Sequence, residues 1–170
     1  MRGVVRRESR ALSQEKAYEI IRETEHGVLA TVDEQGRPAT AALNHVLLED
    51  GNLYFHTGTE GEKLDNIRAN PQVSYFVTQT ADVIYEQFTT AFSSAVVHGE
   101  MTVVEDEGER LRILTALVDR FSDGSLPAEV VTDFIAVGLA TVAILRLTPT
   151  HITGKARLSR KRACLNYSVL

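Results

Sequence analysis

The sequence is poor in cysteine and tryptophan, with one cysteine, Cys164, and no tryptophan among its 170 residues. A single cysteine excludes an internal disulfide and a multi-cysteine metal site within one chain. No apolar run approaches the roughly 20 residues that a membrane-spanning helix needs. The first residues, MRGVVRRESRALS, are basic but lack the long apolar segment and small-residue cleavage site of a secretory signal. These absences predict a cytoplasmic protein without a membrane segment.

Basic residues are scarce in the body of the chain and are concentrated at its ends. Of the 18 Lys and Arg, four lie in the first ten residues and five from residue 155 onward. Residues 11–154 hold nine basic residues against 22 of the 23 acidic ones, a balance that argues against nucleic-acid binding. Residues 1–12 and 157–170 are predicted to be solvated basic tails around a domain of residues 13–156. Contact of these ends with an anionic partner or phosphate is the alternative.

Alternating apolar runs joined by short turns dominate the first half of the chain. Ser13 has the side chain of an N-cap for a helix over about 14–25. The turns at 33–36 and 49–52 combine acidic residues with a glycine where a positive φ is needed, which is typical of an antiparallel meander. Strands are predicted at 28–32, 38–48, 53–56, 73–77, 95–104 (bent at Gly99) and 139–147.

Three further helices are predicted between these strands. Thr59 and Glu62 form a T-x-x-E capping box, which predicts a short helix that buries Leu64 and Ile67. A second helix is predicted over 128–137. The order α-β-β-β-α-β-β-α-α-β is typical of a mainly β (α+β) domain, a six-stranded antiparallel split β-barrel with Greek-key connections and flanking helices. The remaining helix is predicted by apolar residues at helical spacing, namely Leu111, Leu114, Leu117, Val118 and Phe121.

The segment HTGTEGEK, residues 56–63, has the composition of a phosphate-binding junction between a strand and a helix. A helix N-terminus leaves backbone N–H groups unpaired and carries a partial positive charge. Thr57 and Thr59 add hydroxyl donors, and Lys63 adds a full positive charge. The alternative is a capped surface helix whose lysine faces water. Glu60 and Glu62 favour that alternative, because their carboxylates would repel a phosphate.

Asn44 and His45 interrupt an otherwise apolar strand, so each needs a hydrogen-bond partner. They could face the polar edge of a cofactor, or they could satisfy each other and the solvent. His56 and His98 are also embedded in predicted strands, but the histidines show no metal-ligand spacing. No metal site is therefore predicted. The sequence also contains no nucleophile-elbow, Walker A or dinucleotide-binding motif.

Several segments, taken in order, resemble one known superfamily. They are GVLATVDEQGRPATAALNHVLLEDGNLYFHTGTEGEKLDNIRANPQVSYFV, FTT, SSAVVHG and HITGKA. The resemblance is to the pyridoxamine 5′-phosphate oxidase-like flavin split barrels, and among them most of all to the nitroimidazole-resistance proteins. It runs from about residue 13 to residue 156 and rests on order and spacing rather than on one diagnostic motif.

The resemblance implies a homodimer that binds FMN in two equivalent clefts at the subunit interface and acts on a small-molecule substrate. It implies roles only for residues at matching positions. Carried over in this way, the cofactor-binding residues are Ala41, Leu43, Asn44 and His45 along the flavin, His56, Thr57 and Gly58 beside the ribityl phosphate, Lys63 paired with the phosphate, and Ser93 and Ser94 near the ring from the other subunit.

The chain departs from the vitamin-making oxidases of this superfamily in three respects. Ala41 stands where those enzymes carry an arginine for the phosphate, and Glu62 rather than a second base precedes Lys63. The chain also lacks tryptophan and the Trp/Arg-rich C-terminal ending that those oxidases use for pyridoxamine. The protein is therefore not expected to be a true pyridoxamine phosphate oxidase, and its affinity for FMN is expected to be modest.

Three functional hypotheses follow from the resemblance. The first is an FMN-dependent oxidoreductase acting on a small molecule, with nitro-aromatic compounds among the candidates. Hydride chemistry would belong to the flavin and positioning to the protein, so no catalytic acid or base is assigned. The second is a flavin- or haem-binding carrier or sensor without turnover, since one fold hosts several functions. The third is a dimeric barrel whose cleft has lost its ligand.

Overall fold

Eight strands and four helices make up the chain in the computed structural model, which describes residues 5–122 and 124–157. The helices are α1 (Gln14–Glu23), α2 (Glu62–Ala69), α3 (Glu107–Phe121) and α4 (Ala128–Thr141). The strands are β1 (Ala11–Leu12), β2 (His26–Val32), β3 (Pro38–Asn44), β4 (Val46–Leu47), β5 (Leu53–Gly58), β6 (Gln72–Ile84), β7 (Thr89–Val103) and β8 (Val142–Arg157).

All eight strands belong to one antiparallel sheet that curls into a barrel. The strand order is β3-β2-β6-β7-β8-β5-β4, and β1 pairs with β8. The strands at the two ends of this order, β3 and β4, are consecutive in sequence and are separated by His45 alone. Because neighbouring residues join the two ends, the sheet closes on itself. The barrel is split at this place, since β3 and β4 form no ladder with each other in the described structure.

The predicted fold class, a mainly β antiparallel split barrel with flanking helices, is confirmed with eight strands in place of six. One additional strand is β1, which pairs Ala11 with Lys155 and Leu12 with Gly154. Residues 8–12, predicted as part of a solvated tail, are thereby tied to the sheet by a single turn and a short strand. The predicted C-terminal tail lies outside the described residues from 158 onward.

Several predicted strand boundaries are wrong. The strands predicted over 73–77 and 95–104 extend over Gln72–Ile84 and Thr89–Val103, and the closing strand, predicted to end at 147, continues to Arg157. The strand predicted over 38–48 is divided, because the backbone N–H of His45 donates to the carbonyl oxygen of Glu25 rather than to a neighbouring strand. The closing strand predicted over 139–147 begins later, at Val142. Its first residues instead complete α4, since the N–H of Val142 still donates to the carbonyl of Gly138.

Two apolar cores hold the helices against the barrel. α3 and α4 pack on the outer face of β4, β5 and β8, where Ile113, Leu114 and Leu117 are buried. The buried face of α3 is rotated slightly from the predicted one, because Leu111 is 46% exposed and Ile113 is buried instead. The barrel interior, closed by α1, contains among others Ala17, Ile20, Ile21, Leu29, Phe55, Leu64, Tyr75, Val97 and Leu145.

Gly99 marks an irregularity in the longest strand pair of the barrel. The register between β7 and β8 shifts between His98 and Gly99. A Cβ atom placed on Gly99 would lie 2.1 Å from the carbonyl oxygen of Thr148. Since no real Cβ approaches an oxygen so closely, only glycine allows the two backbones to meet here. The irregularity lies where the sequence predicts a bend.

Replacing Ser13 with alanine should lower the free energy of unfolding by about 1 kcal/mol. The Ser13 hydroxyl is the predicted cap of α1, and it accepts a hydrogen bond from the Lys16 N–H at 3.3 Å. Ser13→Gly is the matched control, because glycine at an N-cap costs only a few tenths of a kcal/mol. Urea denaturation at constant pH measures both. Equal losses for the two variants would contradict a capping role.

Candidate functional site

The N-terminus of α2 begins two residues later than the sequence predicts. The capping box of Thr59 and Glu62 is wrong, since Gly61 is the N-cap, no side chain caps the helix, and Glu62 is its first residue. Gly61 has a φ of 120°, which favours glycine, so the chain turns into the helix at this point. The amides of Glu62 and Lys63 donate no hydrogen bond within the described residues. They are therefore available to an anion.

The position of α2 on the barrel is fixed by its buried face. Leu64 and Ile67 are buried, as predicted, and Asn66 between them is buried as well. The side-chain amide of Asn66 donates to the hydroxyl of Thr31 on β2 at 3.1 Å. This contact orients the first turn of the helix toward β2 and β3.

A small cavity of about 170 Å³ lies between this first turn and the two strands. Lys63 is its one basic residue and Glu62 its one acidic residue. Lys63 is half-buried, and within residues 5–122 and 124–157 its ammonium group makes no hydrogen bond or ion pair. An unpaired ammonium beside free amides favours an anion, whereas the Glu62 carboxylate opposes it. The lining residues are Leu29, Thr31, Ala39, Thr40, Ala41, Glu62 and Lys63.

The predicted flavin-lining residues of β3 and its end do not share one environment. Ala41 lines the cavity beside Lys63. Leu43 is half-buried against the barrel core, and its carbonyl oxygen accepts a hydrogen bond from the Tyr75 hydroxyl at 2.8 Å. Asn44 is exposed at the last position of β3, while His45 is fully buried. The polar pair is therefore split between solvent and core.

His45 is a core histidine whose two ring nitrogens have partners inside the chain. Nε2 donates to the carbonyl of Ile21 at 2.8 Å, and Nδ1 lies 3.0 Å from the Tyr75 hydroxyl. Burial, opposed by the Ile21 hydrogen bond and assisted by the positive charge of Arg120, lowers the pKa of His45 to about 4. The imidazole is neutral at pH 7 and presents no free polar edge to a cofactor.

The β5 residues predicted to lie beside the phosphate face opposite sides of the strand. Thr57 is buried on the inner face, whereas His56 is exposed on the outer face. His56 lines a second cavity, of about 480 Å³, whose other walls are mostly apolar residues of α3 and α4. Gly58 ends the strand and is exposed. The structure therefore does not bring His56 to the cavity beside Lys63.

Ser93 and Ser94 also alternate between the two faces of their strand, β7. Ser93 is buried, and its hydroxyl donates to the side-chain carbonyl of Gln79 at 3.0 Å. Ser94 is half-buried on the opposite face and lines a third cavity, on the outer surface of the sheet. Neither serine lines the cavity beside Lys63 in the same chain.

Sequence reasoning missed Thr31 and Thr40 as part of the site. Both line the cavity beside Lys63, from the adjacent strands β2 and β3. The sequence carried a signal for them, because each is a polar residue in an otherwise apolar strand, one before and one after the turn of the first hairpin. What could not be recognised is that α2 folds back over this hairpin.

Within residues 5–122 and 124–157, no three His, Cys, Asp or Glu side chains are grouped so that they could hold a metal ion. None of the helices described is both long and apolar enough to cross a bilayer.

The curled antiparallel sheet, with a helix N-terminus and its lysine beside the first hairpin, defines a split-barrel protein. A family model described as pyridoxamine 5′-phosphate oxidase matches residues 13–156. The chain belongs to this family, which confirms the superfamily resemblance noted in the sequence. No curated protein matches the chain significantly.

Solved structures share the fold at low sequence identity. A candidate 5-nitroimidazole antibiotic resistance protein from Bacteroides thetaiotaomicron is 19% identical with a TM-score of 0.70, over 85% of each chain. A FAD-binding protein from Mesorhizobium loti is 21% identical with a TM-score of 0.62, over 87% of this chain and 97% of its own. A haem storage protein from Vibrio cholerae is 22% identical with a TM-score of 0.61, over 82% and 92%. At these identities the likeness establishes the fold.

Proposed function

We propose that this chain binds FMN and acts as an FMN-dependent oxidoreductase on a small molecule. The observation that carries the proposal is the cavity beside Lys63, where an unpaired ammonium, two free helix amides and two threonines surround a space of about 170 Å³. A phosphate monoester matches this set of donors. Flavin-binding proteins occur among the structures with the same fold.

The charges at the cavity predict selectivity for the phosphate end of the flavin but modest affinity. Lys63 is the only basic residue in the lining, and Ala41 supplies no charge. The negative charge of Glu62 reduces the attraction of Lys63 for an anion. A phosphate held here would rely on the backbone amides of α2 as much as on the ammonium group. This arrangement fits the departures from the pyridoxamine oxidases seen in the sequence.

The size of the cavity supports a homodimer. Pockets for molecules of cofactor size measure about 300–1,000 Å³, so a space of about 170 Å³ holds only the phosphate end. The ring needs walls from elsewhere. Val28 and Phe76, which pair across β2 and β6, are each 41% exposed on the outer face of the sheet. A second copy that covers this face would supply such walls and bring its own Ser93 and Ser94 toward the ring.

When bound, FMN would supply the two-electron hydride chemistry. The residues of this chain would hold its phosphate through Lys63 and the α2 amides, and would shield the ring from water. Candidate substrates are small electron acceptors, nitro-aromatic compounds among them.

A second candidate is a haem-binding carrier, and His56 is the observation that favours it. Its exposed imidazole lines a cavity of about 480 Å³ that is otherwise mostly apolar. A histidine in an apolar cavity is a common axial ligand of haem iron. A haem storage protein shares the fold.

The absorbance spectrum of freshly purified protein, and of protein mixed with FMN, FAD or haem, tests these functions. We expect a flavin spectrum after addition of FMN, anaerobic bleaching by NADH or NADPH, and recovery of colour with a nitro-aromatic acceptor. Free FMN at the same concentration is the control for bleaching. Bound flavin that no reductant bleaches would indicate a carrier. A Soret band without flavin binding would favour the haem carrier, and a protein that binds none of the three would overturn both.

A further inference from the structure

The cavity of about 480 Å³ between α3, α4 and the outer face of β5, here called the α3–α4 cavity, lies apart from the cavity beside Lys63. Its volume falls within the range of small-molecule sites, about 300–1,000 Å³. Among the described residues that line it there is no Lys, Arg, Asp or Glu. The α3–α4 cavity is therefore an uncharged space of the size that a small ligand needs.

The packing of the two helices explains why this space is open. The guanidinium group of Arg110 on α3 donates to the carbonyl oxygens of Leu139 and Val142, at 2.6 and 3.0 Å, and fastens the C-terminal end of α4. At Gly138 the helices touch, since a Cβ atom there would lie 3.5 Å from the side chain of Leu114. From this junction the cavity extends along the N-terminal part of α4, where the helices leave room between them.

The walls of the α3–α4 cavity are apolar and open to water. Phe134 on α4 is 61% exposed, and Phe121, Leu126 and Val137 are exposed as well, although all four line the cavity. No described side chain of α4 is fully buried. Apolar residues exposed singly are ordinary, whereas a contiguous apolar group on a concave surface is typical of a binding site.

Of the polar residues in the lining, His56 is the one most available to a ligand. The Thr141 hydroxyl donates to the carbonyl oxygen of Val137 at 2.7 Å, and the Ser122 hydroxyl accepts from the N–H of Gly124 at 3.1 Å. Within residues 5–122 and 124–157, the imidazole of His56 makes no hydrogen bond. A neutral imidazole donates from one ring nitrogen and accepts at the other, so it can pair with either a hydroxyl or a carbonyl group.

We propose that the α3–α4 cavity binds an uncharged, mainly apolar small molecule whose one hydroxyl or carbonyl group hydrogen-bonds to His56. The apolar walls would take the body of the ligand and remove both surfaces from water. A charged ligand is disfavoured, because its charge would lose water without gaining a counter-charge. Haem, the second candidate for this cavity, brings two carboxylates that none of the described lining residues could pair with. The proposal does not rest on the proposed flavin function.

Binding of 2-naphthol to the flavin-free full-length protein tests the proposal. The chain has no tryptophan, so the fluorescence anisotropy of 2-naphthol can be followed without tryptophan background. Two other probes have the same ring system: 2-naphthoate carries a negative charge, and 2-methylnaphthalene, followed as a competitor of 2-naphthol, lacks the hydroxyl group. The test variants are F134A and H56F. The matched control is F88A, which removes a fully exposed phenylalanine that does not line the cavity.

We expect F134A to raise the dissociation constants of 2-naphthol and 2-methylnaphthalene about 10-fold, because part of the apolar wall is lost. H56F should raise that of 2-naphthol about 2- to 12-fold, the effect of one hydrogen bond, and should leave 2-methylnaphthalene unaffected. F88A should bind all probes like the native protein, and 2-naphthoate should bind at least about 10-fold more weakly than 2-naphthol. Because Phe134 and His56 are both exposed, neither substitution removes a core side chain.

The proposal is overturned if F134A binds 2-naphthol as tightly as the native protein, if F88A loses as much affinity as F134A, or if 2-naphthoate binds as tightly as 2-naphthol. An equal effect of H56F on 2-naphthol and 2-methylnaphthalene would remove His56 from the site. A changed oligomeric state in F134A with unchanged probe affinity would make this face a subunit interface instead. Haem that displaces 2-naphthol and whose Soret band is lost in H56F would assign the cavity to haem.

Discussion

Lys63→Ala is expected to weaken FMN binding by about 1.5–3 kcal/mol, which corresponds to a dissociation constant roughly 10- to 150-fold higher. Lys63 supplies the only positive side chain in the cavity at the start of α2, and its ammonium has no partner within the described residues. Its removal would leave the phosphate with backbone amides alone, next to the Glu62 carboxylate. Titration of the apo protein with FMN, followed by quenching of flavin fluorescence, measures the change.

Two companion variants make this result specific. Glu62→Gln removes the opposing charge from the same cavity and should strengthen FMN binding. Arg68→Ala removes a charge from the far end of α2, where Arg68 pairs with Asp65, and should leave affinity unchanged. If Lys63→Ala binds FMN as tightly as the native protein, Lys63 is not part of the site.

The second large effect is a loss of stability in mild acid that originates at His45. Burial lowers the pKa of His45 to about 4 in the folded chain, against an ordinary value of 6.5. The unfolded chain therefore takes up a proton at a higher pH than the folded chain does. The stability that the neutral, buried His45 contributes is complete above pH 6.5 and is lost as the pH falls toward 4. The linkage relation gives a loss of about 2 kcal/mol between pH 7 and pH 5 and about 3 kcal/mol by pH 4.

Urea denaturation between pH 7 and pH 5 measures this loss before most carboxylates titrate. His45→Phe removes the titrating group, so its stability should be lower at pH 7 but should depend much less on pH in this window. His26→Gln is the matched control, because His26 is an exposed histidine at the start of β2. It should keep the pH dependence of the native protein. If the free energy of unfolding of the native protein depends on pH as little as that of His45→Phe, His45 is not the main cause of the loss of stability in acid.

Local features of the structure were predictable from the sequence because they depend on neighbouring residues. Ser13 caps α1, and Gly36 and Gly51 adopt the positive φ values expected of their turns. Alternating apolar residues marked the strands, and the helical spacing in 111–121 marked α3. The T-x-x-E capping box predicted at 59–62 does not form. Gly61, which lies inside the box, adopts a positive φ and is itself the N-cap of α2.

Which face of a strand meets the core was not predictable from the sequence. That face determines whether most of the candidate residues lie in the core, on the surface or beside the cavity. A strand pattern shows that His56 and Thr57, or Ser93 and Ser94, face opposite sides, but not which side α3, α4 or a ligand occupies. His45 is buried because β3 ends just before it and α1 covers it, with Ile21 supplying the acceptor for its ring. These contacts join residues far apart in the chain.

The sequence by itself determined the order of strands and helices, the superfamily, and a lysine in the first turn of a helix that follows a strand. Only the tertiary structure decided that this helix turns its free amides and Lys63 toward Thr31 and Thr40. It also decided that His56 and apolar residues of α3 and α4 line one cavity. The physical reason is that hydrogen bonding between neighbouring residues and side-chain spacing act locally. The curling of one sheet, by contrast, brings together residues whose sequence positions carry no sign of their proximity.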